Sequence, residues 1–489
     1  MGRKTLRTHQ LNTMAFKNIR EFIERVEKEG ELLRIKEEVD PELEVSCITN
    51  GVSKNNGKAL YFENPKGSNV PVVTNLFGSF RRMEIAIGEF SEISRRIDEL
   101  FEIKEPKGLI DKIKFLPRLF EMSQFFPKIV KDAPCQEIID EKPDLLKFPH
   151  LKLWPKDGGR FITLPLVFTK DLDGKKNCGM YRMQIFDEKT TGMHWHPNKD
   201  GARHYSSYKK AGKKMEVAVA LGGPPEVIYS ATSPLPFGFD EMTFAGFLRK
   251  NTVAMVKCKT IDIEVPAEAE IVLEGYILPD ETRDEGPFGD HTGYYSEVSK
   301  FPVFHINCIT YRKNPIYPAT VVGKPPMEDC FIAKATSIIF LPIIKRLIPE
   351  IVDMNLPIEG VFHNLAIVSI KKEYPGALRK VAGALWGLGQ LSTTKVLVMV
   401  DEDIDVNNLS DVSWRVLSNI SPRRDIFFVD GPLDILDHAS QISGYGSKMA
   451  IDGTKKTKEE GMQRELPGEA IMDKNIEALV CQKWKDYGI

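Results

Sequence analysis

Apolar positions recur with a helical period near the start of the chain. Ile19, Phe22, Ile23 and Val26 fall at i, i+3, i+4 and i+7, with Gly30 where a C-cap belongs, so the spacing predicts a helix. Residues 59–62 and 70–75 read as strands, and Ile93, Ile97, Leu100 and Phe101 predict a second amphipathic helix. This alternation points to a small α/β domain over residues 16–115. Residues 115–160 carry Pro117, Pro127, Pro134, Pro143, Pro149 and Pro155 and read as an irregular linker. The middle of the chain is strand-dominated, with candidates at 164–169, 180–186, 216–221, 254–265, 270–277 and 301–311. Between Ile261 and Val265 apolar and acidic residues alternate, the period of a half-buried strand. One helix, 240–249, interrupts this series, which predicts an antiparallel barrel or sandwich. From about residue 325 helical runs (333–348, 377–388) alternate with a buried-strand run at 396–400, the pattern of a further α/β domain.

Composition narrows the class without choosing a function. The 489 residues carry 67 Lys+Arg against 69 Asp+Glu, a net charge of −2, which argues against a generally basic, phosphate-tracking nucleic-acid binder. Hydrophobic content of 42% and charged content of 28% are those of an ordinary globular protein, and the length suggests about three domains. The seven cysteines are widely spaced and form no CxxC, so neither a disulfide framework nor a Cys-based zinc site is expected, and a reducing cytoplasm is the default. The most apolar run, 338–344, contains Pro342 and is followed by Lys345 and Arg346, so no membrane span is expected. Residues 1–15 are basic without an apolar core and read as a disordered extension, with Met14 as an alternative start.

Nucleotide-type phosphate loops are unsupported: no GxxxxGK[ST] occurs, and Gly387-Leu388-Gly389 lacks the third glycine of a dinucleotide fingerprint. No GxSxG and no HExxH occur either. Two dense polar clusters remain. One runs from Asn177 through Met180, Tyr181 and Arg182 to a glycine-containing stretch with His194, Trp195, His196, Asn198, Lys199 and Asp200. It reads either as a ligand loop on a rigid sheet or as a solvated turn. The other is Glu285-Gly-Pro-Phe-Gly-Asp290-His-Thr-Gly-Tyr-Tyr295, two carboxylates five residues apart across a Gly/Pro loop. Such a loop can aim both acids into one cavity, with one acid raised in pKa near Phe288 and Tyr294 and the other kept ionised by Arg182; the alternative is a solvated turn. Asn177 and Glu241 are hard-oxygen candidates for a metal, although an acid opening a helix, as Glu241 does, is also explained by the helix dipole.

These segments resemble the UbiD family of aromatic-acid carboxy-lyases, which use prenylated FMN. The resemblance runs from about residue 16 to 475. Its most specific pieces are Asn177-xx-Met180-Tyr181-Arg182, Met193-His194-Trp195, Glu241, Val272-Leu-Glu-Gly-Tyr276 and the 285–295 segment, with further matches at 349–353 and 443–449. The resemblance implies an N-terminal α/β domain, a central flavin-reductase-like split β-barrel over residues 116–325, and a C-terminal α/β domain over 326–489 with an oligomerisation tail. It implies a homodimer or homohexamer. Asn177, Glu241 and Asn198 are the implied ligands of a manganese or magnesium ion, with potassium beside it. Asn198 stands where the family commonly has histidine, and His196 is a possible substitute. Met180, Tyr181, Arg182, His194, Trp195, His196, Lys199 and Asp200 are the implied cofactor contacts, with Lys395 at the phosphate. Arg182, Glu285 and Asp290 match the Arg–acid–acid catalytic set, with Asp290 as proton donor.

Removing CO2 from an aromatic ring leaves an electron pair that no side chain accepts well, so a cofactor is required. The expected activity is reversible, non-oxidative decarboxylation of an aromatic, hydroxylated acid, with a flavin prenyltransferase supplying the cofactor. The alternatives are a subunit of a phenylphosphate-carboxylase-like complex, working with sister subunits, and a plain FMN-binding barrel with a redox or binding role.

Overall fold

The first helix forms over Ile19–Lys28, because one stripe of it (Ile19, Phe22, Ile23, Val26) is buried and Asn18 caps the N–H groups of Arg20 and Glu21. Gly30 follows with φ +76°, the left-handed conformation that ends a helix at low cost. A computed structural model describes residues 15–102, 122–196, 199–464 and 467–488 of the chain. Most of the expected 1–15 extension, the end of the expected first domain and Pro117 lie outside the described residues, as does Asn198.

Leu32–Val39, Ala59–Pro65 and Val72–Thr74 build a small mixed sheet, and Tyr317–Pro318, far along the chain, adds a fourth strand beside Val72–Thr74. Helices Phe80–Ile87 and Phe90–Phe101 follow.

Seven antiparallel strands make the central sheet. Their order is Thr190–Gly192, Ser299–Tyr311, Ile271–Glu285, Met215–Leu221, Leu166–Lys170 and Lys176–Met180, with Ile138–Asp140 also paired to Ser299–Tyr311. This path has two ends, so the central unit is an open sheet and not a closed barrel. The expected strand 180–186 is broken. One strand ends at Met180 and a two-residue strand resumes at Met183, leaving Tyr181 and Arg182 between them, free of ladder geometry. The expected strand 254–265 is two strands, Ala254–Lys257 and Glu264–Pro266, paired antiparallel. Inward Ile261 and Ile263 alternate with outward Asp262 as read, but most of that run is the turn between the pair. The expected strand 270–277 continues through an irregularity to Glu285 and pairs it with Ser299. Glu285 is thus anchored on the sheet instead of floating in a loop.

The last unit is a five-stranded mixed sheet, Ile351–Asn355, Leu365–Ile370, Val396–Asp401, Tyr445–Asp452 and Ile426–Pro432, flanked by Ala377–Trp386 and Leu409–Asn419. The helix Glu328–Leu347 joins it to the rest. Along it Phe331, Ala335, Ile339 and Phe340 are buried in the core shared by the N-terminal helices and the central sheet. Its end places Ile344 in the core of the C-terminal sheet. Among the described residues no helix is long and apolar enough to cross a membrane.

Candidate active site

Arg182 sits in the gap between two strands, with its side chain 9% exposed. Its Nε donates to Glu285 Oε1 at 3.1 Å, one terminal nitrogen to Asp290 Oδ2, and the other to Ser296 Oγ at 3.1 Å. The guanidinium lies 4.6 Å over the Phe288 ring. One planar cation thus bridges the sheet-borne Glu285 and the loop-borne Asp290, a geometry only a guanidinium offers. The sequence expectation of an acid raised in pKa by Phe288 is corrected here, because Phe288 packs on the cation. Burial alone would raise the Asp290 carboxyl, but the charges of Arg182 and His291 overcome it and hold the group well below the usual carboxylate range.

Glu285 also accepts from His194 Nδ1 at 2.8 Å, and His194 Nε2 meets His196 Nε2 at 2.9 Å. The far oxygen of Glu285, Oε2, is buried without a partner among the described residues, as is Thr191 Oγ1 on the strand Thr190–Gly192. Gly192 permits this approach: a Cβ there would stand 3.0 Å from Glu285 Oε2. The loop that carries Asp290 is fastened from outside the cluster. Gln184 accepts from the Gly286 N–H at 2.7 Å and Asp157 from the Gly289 N–H at 2.8 Å.

Tyr181 and Trp195 adjoin the cluster, whereas Met180 packs against the core shared with the N-terminal helices. Tyr181 meets Trp195 edge-on at 6.3 Å, and Trp195 Nε1 is a second buried donor without a partner among the described residues. Lys199 and Asp200 open the helix Asp200–Lys210, and burial lowers the pKa of Lys199. Asn177 and Glu241 are both buried, and Glu241 accepts from the Cys178 N–H at 2.8 Å. Glu241 has no ion-pair partner among the described residues. Burial, with Asp240 and Asp200 nearby, pushes its carboxyl up to about 8. A buried acid beside a neutral amide and without a counter-charge fits an oxygen-ligated divalent ion. Among the described residues no three His, Cys, Asp or Glu side chains converge as a metal site, and Asn198, the third candidate ligand, lies outside them. Lys395, expected at the cofactor phosphate, pairs its ammonium with Asp437 at 2.7 Å. The next residue, His438, stacks on Tyr294 at 3.9 Å, so this part of the C-terminal unit lies against the 285–295 loop.

Sequence reading missed several members of the cluster. Ser296, Gln184 and Asp157 are single polar residues with no motif around them. His363, whose Nε2 meets His291 Nε2 at 2.9 Å, and Asp434, whose charge acts on His363, His291 and His196, come from the C-terminal unit and carry no local signal. Their only sequence hint is residue type.

Three family models match the chain: the 3-octaprenyl-4-hydroxybenzoate carboxy-lyase N-terminal domain over residues 23–104, its Rift-related domain over 128–325 and its C-terminal domain over 330–453. A protein of Archaeoglobus fulgidus, itself uncharacterised, is 51% identical over 97% of this chain and 99% of its own. The closed form of the vanillic acid decarboxylase of Sedimentibacter hydroxybenzoicus superposes with TM-score 0.84 at 29% identity, covering 96% of this chain and 99% of that one. Its open form scores 0.77 over the same shares. The UbiD-class enzyme HmfF of Pelotomaculum thermopropionicum, solved with FMN, gives 0.79 at 28% identity over 96% and 100%. An evolved dimeric form of HmfF, solved with prenylated FMN, gives 0.77 at 26% over 94% and 98%. Matched along nearly its whole length by all three domain models, and by relatives of the same extent, the chain belongs to the UbiD family of carboxy-lyases.

Proposed function

We propose that this protein is a prenylated-FMN-dependent, reversible decarboxylase of an aromatic acid, with a hydroxylated ring as the first candidate substrate. The observation that carries the reading is Arg182 bridging Glu285 and Asp290 in a buried cluster fringed by unsatisfied polar atoms. The vanillic acid activity of one neighbour and the flavin complexes of another support it.

When bound, the cofactor supplies the electron sink for the pair left as CO2 departs. Tyr181, Trp195, His194, Lys199 and Asp200 would line it, and Asn177, Glu241 and Asn198 would hold a divalent ion that offsets its negative charge. The chain's own residues do the rest. Arg182 binds the substrate carboxylate side and fixes both acids. Glu285, held by Arg182 and His194, orients that guanidinium. Asp290 delivers the proton that replaces the carboxylate. Burial of the cluster strengthens each of these interactions over its value in water.

Co-expression with a flavin prenyltransferase, followed by assay of hydroxybenzoates and other aromatic acids, tests the reading. The expected outcome is CO2 release and exchange of labelled bicarbonate into substrate. Cofactor-loaded protein that does neither across the series would overturn it. Asp290→Asn should lower turnover about 10²–10⁴-fold while flavin absorbance is retained.

A further inference from the structure

Asp290 as described cannot be its own proton source. Its Oδ2 accepts from Arg182, and its Oδ1 accepts both the backbone N–H of His291 at 2.8 Å and His291 Nδ1 at 2.9 Å. A carboxylate with three donors is ionised at neutral pH. Its proton must therefore arrive during the cycle, and the titratable donor already on Oδ1 is His291. We propose that His291 stores the proton that Asp290 delivers, and that His363 fixes which ring nitrogen of His291 carries it. The proposal rests on the reading of Asp290 as proton donor.

The surroundings of His291 suit that task. Asp290 lies on its Nδ1, and Asp329, from the helix Glu328–Leu347, and Asp434, after the strand Ile426–Pro432, act on it from the C-terminal side. Burial opposes the charged ring, yet these three acids raise it to about 9. His363 behaves oppositely. Burial and the neighbouring His291 charge lower it, with Lys199 adding to that and Asp434 and Asp290 opposing. Two imidazole Nε2 atoms at 2.9 Å share one proton, so a charged His291 donates and a neutral His363 accepts. The proton of His363 then sits on Nδ1, which is buried without a partner among the described residues.

The backbone that presents His363 is unusual in the same direction. Val361 and Phe362 have φ of +52° and +46°, two successive left-handed residues that are neither glycine nor asparagine. Such conformations are costly for residues with a Cβ and persist where surrounding contacts demand them. The Phe362 ring packs at a tilt against His291, centroids 5.3 Å apart, so the turn delivers both an aromatic contact and an acceptor to the same imidazole.

The proton balance closes. His291 passes its Nδ1 proton to Asp290 Oδ1, and the Asp290 carboxyl gives a proton to the ring carbon as the carbon–carboxylate bond breaks. His291 is left neutral with its remaining proton on Nε2, where the His363 lone pair holds it. Nδ1 therefore faces Asp290 unprotonated and takes the next proton from solvent, one per CO2 released. Without His363 the neutral ring is free to keep its proton on Nδ1, the wrong nitrogen for reloading. Both histidines are positioning residues, since each acts through Asp290.

The test combines pH–rate profiles of the cofactor-loaded enzyme with NMR of protein labelled at histidine 13Cε1 and 15N. For wild type, kcat should fall as pH rises through about 9, and one histidine, absent from His291→Asn, should stay charged past pH 8. His291→Asn should lose at least tenfold in kcat and the alkaline limb with it. His363→Leu should move both the limb and the His291 titration to lower pH, and His363→Gln, which keeps an acceptor, should restore them toward wild type. A His291→Asn enzyme with an unchanged limb and kcat within threefold overturns the proposal, as does a His291 signal titrating near 6.5 in the wild type. If Asp290→Asn is inactive while His291→Asn is not, the relay fails and the Asp290 reading stands. If Asp290→Asn retains activity, that reading fails first, and the His291 titration in wild type and His363→Leu still decides the histidine assignment.

Discussion

Arg182 serves two carboxylates with one planar cation, and its replacement separates reach from charge. Lysine at 182 keeps the charge but cannot bridge Glu285, Asp290 and Ser296 together. Arg182→Lys should therefore lose activity by at least two orders of magnitude while the fold persists, measured as kcat/KM beside thermal melting. Elsewhere single residues report on stability. Burial pushes Glu226 and Glu328 up to about 7 from an ordinary value of 4.5. A carboxyl raised in the folded state binds its proton more tightly there than when unfolded. Its contribution is complete below about pH 4.5 and is lost as pH rises through 7. Urea unfolding should show stability falling across that window, and Glu226→Gln should flatten the slope. The types and spacing of Arg182, Glu285 and Asp290 were legible in the sequence. The direction of the Asp290 shift was not, because nothing local reveals that the guanidinium reaches both acids or that Phe288 packs against it.

At the scale of elements, the helix Glu241–Arg249 holds Glu241 at its first turn, with Asp240 capping the N–H groups of Met242 and Thr243. Gly246 lets that helix touch the incoming chain: a Cβ there would stand 2.0 Å from the Phe125 carbonyl oxygen. Gly246→Ala should destabilise by about 2–4 kcal/mol in urea melts, since a backbone atom must move. It should also weaken the divalent-ion binding proposed for Glu241, measured by calorimetry with Mn2+, through displacement of Glu241. This helix was readable because its apolar period and cap are local. The break at 181–182 and the extension of the strand to Glu285 were not. Both are set by pairing with distant strands, Leu166–Lys170 in one case and Ser299–Tyr311 in the other.

For the whole molecule, the helix Glu328–Leu347 is the mechanical link between two cores. Phe340 packs 5.6 Å from Phe244 inside the larger core, whereas Arg346 makes an exposed ion pair with Asp98. Phe340→Ala should cost about 3–5 kcal/mol and Arg346→Ala about 1 kcal/mol or less, compared by denaturant midpoints. Both residues lie on this one helix, so the contrast measures apolar packing against surface charge.

The sequence by itself determined the α/β–β–α/β succession, the first helix and its glycine stop, and the residue types of the Arg–acid–acid set, because periodicity, capping and glycine-rich turns act over a few neighbouring residues. Tertiary structure alone decided that the central sheet is open, that Arg182 spans both acids, and that a histidine 72 residues away in the chain completes the cluster. Those outcomes depend on long-range pairing and on charges meeting in a buried space, and neither leaves a local trace along the chain.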